Sequence, residues 1–272
     1  MDDKDSKDID YPYFVTAHEV AHQWWAHQED PANVQGAEFI TESLAEYSAL
    51  LVLKHKYGDA KMHRFLQFEL NTYLLGRSTE SKREQPLVRE DGDAYVHYNK
   101  GSLAIYALQD AIGEDAVDQA LAAFDRKWAF QGPPYPTSRD LLAEFRKITP
   151  PDKQYLITDL FETITLFDNR ATEASYRAVD DGKYEVELKV RAKKLRADGL
   201  GAETEVRMND WIDIGVLDAQ GNPIYLQKQQ IQSGDSTIKI VVDKVPAKAG
   251  IDPLNKLIDL TAEDNVVDVV KK

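Results

Sequence analysis

The chain has 272 residues, no cysteine, 43% hydrophobic residues, and 47 acidic against 33 basic side chains, for a formal charge of −14. That length supports one large or two smaller domains without disulfide staples, and it excludes disordered, collagenous and disulfide-scaffold classes. The acidic excess argues against a nucleic-acid partner, which needs clustered Lys and Arg.

In chain order, no run of about 18 apolar residues predicts a membrane span, and the acidic start from Met1 to Asp10 does not read as an export leader. The absence of cysteine fits an oxidising or a reducing compartment equally. Periodicity predicts a first helix from Pro12 to His27, stopped by Asp30-Pro31. A second runs from Ala37 to Gly58 with Ile40, Leu44, Tyr47 and Leu51 on one stripe, and Asp59 is the expected cap of a third through Leu75. Gly76 to Asp93 reads as an exposed loop. Helices are then expected over Tyr95–Ile112, Glu114–Phe130, Arg139–Ile148 with Ser138 as cap, and Asp152–Phe167. Beyond Ser175 the period becomes two, as in Tyr184, Val186, Leu188 and Val190, or Ile238, Ile240 and Val242, with turn signals at Asp180-Asp181-Gly182 and Gln220-Gly221-Asn222-Pro223. The fold class is therefore α+β: a helical domain over residues 1–170 and a small antiparallel β-sandwich over 171–272.

The first helix carries His18-Glu19-Val20-Ala21-His22. Four-residue spacing puts both imidazoles on one face, a turn apart, so that two nitrogens reach one Zn²⁺, while Glu19 projects beside the metal where it can take a proton from an activated water. Phe14, Val15, Ala17, Val20, Ala21, Trp24 and Trp25 surround the pair, which predicts a helix buried over most of its circumference. Two histidines and a glutamate there are costly unless something binds them. The competing account makes His18 and His22 core histidines bonded to carbonyl groups, with Glu19 on an exposed edge. His27, His55 and His63 lack such neighbours and are expected at the surface. The third ligand needs a carboxylate from the next helix; Glu38, Glu42 and Glu46 lie one turn apart on a single face, with Glu42 in the middle. Glu46 is also placed to hydrogen-bond a ligand histidine from behind. Two histidines and one carboxylate leave a position open for water and substrate.

Three patches, HEVAHQWW, TESLAEY and Tyr98-Asn99-Lys100-Gly101, resemble the zinc aminopeptidases of the membrane alanyl aminopeptidase (gluzincin) family, over about residues 12–168. The resemblance implies a thermolysin-like helical catalytic domain with His18, His22 and Glu42 as zinc ligands, Glu19 as general base, Tyr98 as transition-state stabiliser and a peptide as substrate. The gap from His22 to Glu42 holds nineteen residues where the family has eighteen, and the strict position is Thr41; a loop between Asp30 and Gly36 absorbs the extra residue. The family's G-x-M-E-N segment, which recognises the substrate's free amine, has no counterpart in the 17 residues ahead of His18. The chain is thus expected to be the C-terminal part of a longer protein. HQWWAHQ and NVQGA are similar to aminopeptidase-like domains of large bacterial membrane proteins related to transporter permeases, which implies a membrane-associated parent.

The expected activity is zinc-dependent peptide hydrolysis of the aminopeptidase type. The alternatives are a zinc-stabilised interaction module of a larger membrane protein, and an endopeptidase. Tyr95 and His97, beside Tyr98, are expected to pack. Because the zinc helix normally lies on a sheet that this chain lacks, Phe14, Val15, Trp24 or Trp25 is expected to be partly exposed or covered by a second copy.

Overall fold

A computed structural model describes residues 8–179 and 182–272. The chain mixes helix and sheet and forms two compact units, one running to Thr165 and taking back Ala197–Ala202, the other holding Leu166–Arg196 and Glu203–Lys272. The predicted turn at Asp180-Asp181 lies outside the described residues. Among the described residues, no helix is long and apolar enough to cross a membrane.

The first unit is helical: α1 (Tyr11–Ala21), α2 (Ala37–Tyr57), α3 (Met62–Thr79), α4 (Gly101–Ile112), α5 (Glu114–Trp128) and α6 (Ser138–Ile148). Its centre is α2, which buries Phe39, Ile40, Leu44, Tyr47, Leu50 and Leu53 completely and packs against both α1 and α4. Truncating such a leucine to alanine costs about 2–5 kcal/mol. Gly36 starts α2 in the left-handed region (φ 82°), and a Cβ there would sit 2.4 Å from the Val88 carbonyl oxygen. A Cβ on Gly101 would meet Ser43 Oγ at 2.1 Å, so glycine sets how closely α4 approaches α2.

Several expected boundaries move. The first helix ends at Ala21 rather than His27, because the amides of Gln23 and Trp24 fold back onto Val20 and Ala21 carbonyls three residues earlier, and Ala26 then turns left-handed (φ 91°). It is not buried over most of its circumference either: Phe14, His18 and Ala21 form one buried stripe, while Val20 and Trp24 are exposed. Of Phe14, Val15, Trp24 and Trp25, at least one of which is expected to be partly exposed or covered by a second copy, Trp24 is exposed, Val15 is half-buried, and Phe14 and Trp25 are buried. Asp59 opens a short 3₁₀ turn and caps nothing through its side chain. For α6 the cap is Thr137, which exchanges bonds with Asp140, and Ser138 is already helical. The segment 76–93 is less exposed than expected: α3 continues to Thr79, and Glu84, Leu87, Glu90 and Asp93 are buried. Finally, Asp152–Phe167 is not one helix. Short turns give way to the strand β1 (Ile164–Phe167), whose Ile-Thr-Leu-Phe run is buried at every position.

The strands that follow are β2 (Arg170–Ala178), β3 (Tyr184–Ala192), β4 (Lys194–Ala197), β5 (Glu203–Val206), β6 (Asn209–Leu217), β7 (Pro223–Gln232), β8 (Gly234–Val242), β9 (Lys248–Ile251) and β10 (Val266–Lys271). One sheet has the order β1-β4-β5, the other β7-β6-β9-β10-β2-β3-β8. In the larger sheet β3 faces β8 with Val186 opposite Ile240 and Leu188 opposite Ile238, as period-two patterning requires. The first half of β10 pairs antiparallel with β9, and its second half pairs parallel with β2, which departs from the all-antiparallel expectation. This strand joins the two halves around one core that includes Val186, Leu188, Ile214, Val216, Ile238 and Ile251.

Candidate metal and catalytic site

The short helix α1 presents His18, its C-cap is His22 one turn on, and α2, which packs along it, presents Glu42. Their ligand atoms converge: Glu42 Oε2 lies 3.3 Å from His18 Nε2 and 3.3 Å from His22 Nε2, and the two nitrogens are 3.1 Å apart. Two ligands about 2.05 Å from a zinc ion at a tetrahedral angle stand roughly 3.3 Å apart, so the triangle has the size that a tetrahedral site needs.

Hydrogen-bond chemistry agrees with that size. His22 Nδ1 faces the Trp25 carbonyl oxygen at 3.0 Å; a carbonyl only accepts, so Nδ1 carries the proton and a neutral His22 offers its Nε2 lone pair to the centre. Glu42 Oε2 is buried without a well-aligned donor. Two acceptors therefore share a space that His18 Nε2 alone cannot satisfy, and a divalent cation suits a set of two nitrogens and one oxygen. The residues present thus fit a zinc ion.

Behind His18, its Nδ1 lies 2.5 Å from Glu46 Oε2. Burial alone would depress the His18 imidazolium, but Glu42 and Glu46 outweigh it and raise the pKa to about 9. The close approach of His18, helped by His22 and Tyr98, holds the Glu42 carboxyl below its ordinary range against the effect of burial.

Tyr98 belongs to a wide π-type turn, Tyr95–Lys100, that leads into α4. Its ring lies 5.6 Å from that of His18, and its hydroxyl bonds to Glu42. Burial, then the charge of Glu42, pushes its pKa up to about 12, so the phenol remains a donor at neutral pH. Glu19 is exposed, and its charge also reaches Tyr98. Tyr95 turns away and stacks on Tyr73 at 5.9 Å. His97 is buried, with Nδ1 3.3 Å from Glu90.

The three glutamates on the α2 row separate by role. Glu42 faces the histidine pair, Glu46 backs His18, and Glu38 lies beside Glu90 instead. His27 is exposed and bonds the His22 carbonyl, and His55 is exposed beside Glu114. His63, expected at the surface, is half-buried. Sequence reading missed Glu69 and Asn99: Glu69 on α3 is fully buried and accepts Asn99 Nδ2 at 2.7 Å. The available signal was a glutamate on the stripe Phe65, Leu66, Leu70 and Tyr73. On the far side of α1, Val20, Trp24, Leu51 and Leu121 line a mostly apolar cavity of about 410 Å³ that none of His18, His22 and Glu42 lines.

Among known proteins, the chain is similar to proteins named as aminopeptidases and to one named as a zinc metallopeptidase. It is 28% identical over 119 residues to "Putative aminopeptidase-2" of Caenorhabditis elegans, which is 43% of this chain and 6% of that protein. Among solved structures it is similar to Legionella pneumophila aminopeptidase A in complex with aspartic acid (TM-score 0.49, 15% identity, 95% of this chain and 26% of the other). It is also similar to a variant of the M1 zinc metallopeptidase of Deinococcus radiodurans bound to a Tyr-Ser-Ala substrate (TM-score 0.43, 20% identity, 54% and 32%). The chain spans less than a third of the length of each of these relatives. No protein-family model matches it.

Proposed function

We propose that this chain carries the zinc centre of an aminopeptidase-type metallopeptidase, with His18, His22 and Glu42 as ligands. The observation that carries the reading is the convergence of those three ligand atoms at tetrahedral separations around a buried, donor-starved carboxylate oxygen. The likeness to the nematode aminopeptidase supports it. On this reading residues 1–170 are a thermolysin-like catalytic domain and 171–272 a β-sandwich, in a longer parent that is membrane-associated.

When bound, zinc supplies Lewis acidity that activates water and polarises a peptide carbonyl. The protein supplies the rest. The Trp25 carbonyl accepts the His22 Nδ1–H and so aims the opposite nitrogen at the centre, and Glu46 Oε2 stands 2.5 Å behind His18 Nδ1. Glu19, exposed one residue beyond His18, takes a proton from the attacking water and returns it to the leaving amine. The Tyr98 hydroxyl, kept protonated, donates to the carbonyl oxygen as negative charge develops on it.

The test pairs aminoacyl-arylamides with internally quenched peptides, each with and without a chelator. Chelator-sensitive cleavage of the arylamide supports the aminopeptidase reading, and cleavage of the internal bond alone supports an endopeptidase. Zinc bound with both substrates untouched supports an interaction module.

A further inference from the structure

The turn Tyr95–Lys100 that carries Tyr98 is anchored at both of its ends. Lys100 closes it with only 1% of its surface exposed, and an ammonium that deep is costly unless an anion meets it. Glu84 supplies the anion: its Oε1 lies 2.8 Å from Lys100 Nζ. The same oxygen accepts the Tyr73 hydroxyl at 2.7 Å, and Oε2 accepts Arg77 Nε at 3.0 Å. Tyr73 in turn stacks on Tyr95, which opens the turn, with ring centroids 5.9 Å apart. One carboxylate therefore holds the segment twice, Lys100 directly and Tyr95 through Tyr73. The main chain of Glu84 is fixed as well. Its amide donates to the Gly199 carbonyl at 3.0 Å, and a Cβ on Gly199 would stand 2.1 Å from the Glu84 carbonyl oxygen, so glycine is what lets the two segments meet.

We propose that Glu84 is a positioning residue which, through Lys100 and Tyr95, sets where the Tyr98 hydroxyl stands beside the histidine pair. Wide turns of the π type are rare and concentrate at functional sites, and this one puts the Tyr98 ring 5.6 Å from that of His18. A donor to a developing oxyanion works only from the right place, and a displacement of about 1 Å can cost on the order of a hundredfold in rate. Tyr98 itself is only half-buried, so its neighbours along the turn carry much of the work of holding it. Three donors converge on Glu84, which suits an ionised carboxylate. Burial alone would raise its pKa, but Lys100, Tyr73 and Arg77 outweigh burial and hold it below the ordinary range. This inference rests on Tyr98 acting as the oxyanion donor, as proposed above.

The experiment places Glu84→Gln, which keeps the shape and removes the charge that Lys100 needs, in the wild-type and the Tyr98→Phe chain. Zinc-loaded protein is assayed on an aminoacyl-arylamide, and thermal melting checks that each chain folds. The expected result is a kcat roughly 10–100-fold lower for Glu84→Gln with KM within about threefold, and no further loss where Tyr98 is already replaced. An equal fold-loss in both backgrounds, or an unchanged kcat, overturns the proposal. A second readout needs neither zinc nor turnover. In chains labelled with fluorinated tyrosine, the Tyr98 fluorine resonance, assigned by its loss in Tyr98→Phe, should shift or broaden in Glu84→Gln while those of the exposed Tyr11 and Tyr13 stay in place. A Tyr98 line identical to that of wild type overturns the proposal. Should Glu84→Gln fail to fold, Tyr73→Phe takes its place, since it keeps both charges and the ring stack and removes only the bond to Glu84. The loss in kcat is then about threefold and again absent from the Tyr98→Phe background; an equal loss in both overturns the proposal. A wild-type chain that holds zinc and cleaves nothing sinks the aminopeptidase reading instead, and the fluorine line then decides the role of Glu84 alone.

Discussion

In the sheet unit, Asp252 is buried and its two oxygens accept the amides of Lys256 at 3.0 Å and Leu257 at 2.9 Å. Asp259 likewise accepts the amides of Asn169 and Thr261, and Asp213 meets the ammonium groups of Lys228 and Lys256. The helical unit buries carboxylates differently. Around α2, Glu42 faces the His18 and His22 rings, Glu46 faces His18, and Glu69 accepts the side-chain amide of Asn99. Asp252 and Asp259 are held by backbone amides, which cannot leave without unfolding the loop. Those around α2 face side chains, which under the proposed function share Glu42 with a metal ion. Both are buried acids, but only the second arrangement is chemically adjustable.

The largest effect that tests this contrast is on turnover. Glu19→Gln should lower kcat by a factor of about 10²–10⁴ and leave zinc in place, because Glu19 holds no ligand position. Single-turnover assays beside metal analysis check this; zinc lost together with activity would make Glu19 structural. Tyr98→Phe should reduce kcat on the order of a hundredfold with little change in KM, as for other donors to a developing oxyanion. An unchanged kcat would reassign the phenol to packing.

Next in size is a pH effect in the sheet unit. Burial raises the Asp252 pKa from 3.8 to about 7, against the pull of the Leu257 and Lys256 amides. A raised folded-state pKa means that the contribution of this group to stability is fully present below about 3.8 and is lost as pH rises through about 7. Asp252→Asn should flatten the melting profile across that window by an amount on the order of a few kcal/mol, read by denaturant titration at several pH values. An identical pH dependence in both proteins would remove Asp252 from the account. The smallest effect is expected on the exposed side of α1: Trp24→Ser should change stability by only about 0.5 kcal/mol, since half of that side chain is already in solvent. A loss of several kcal/mol would show that this face is covered in solution.

Much of the site was legible because its signals are local. Spacing alone puts His18 and His22 on one face, and period-four glutamates narrow the partner to Glu38, Glu42 or Glu46. Choosing among them needed either a family resemblance or the crossing of α1 and α2, which no local pattern encodes. The stop of α1 at Ala21 was hidden because the Trp24-Trp25-Ala26 stretch reads as helix-compatible until Ala26 turns left-handed. Glu69 and Asn99 escaped because they are thirty positions apart, on α3 and the π-type turn. The pairing of β10 with both β9 and β2 was equally invisible, since period two fixes which face is buried but not which neighbour a strand takes.

Everything returns to the third ligand. Wild-type chain and Glu42→Ala, both loaded with zinc, dialysed and assayed for bound metal by mass spectrometry under native conditions, test it most directly. The account predicts one zinc per wild-type chain and none retained by the variant, with both chains folded. Equal zinc in the two, or none in either, would contradict a centre built from His18, His22 and Glu42.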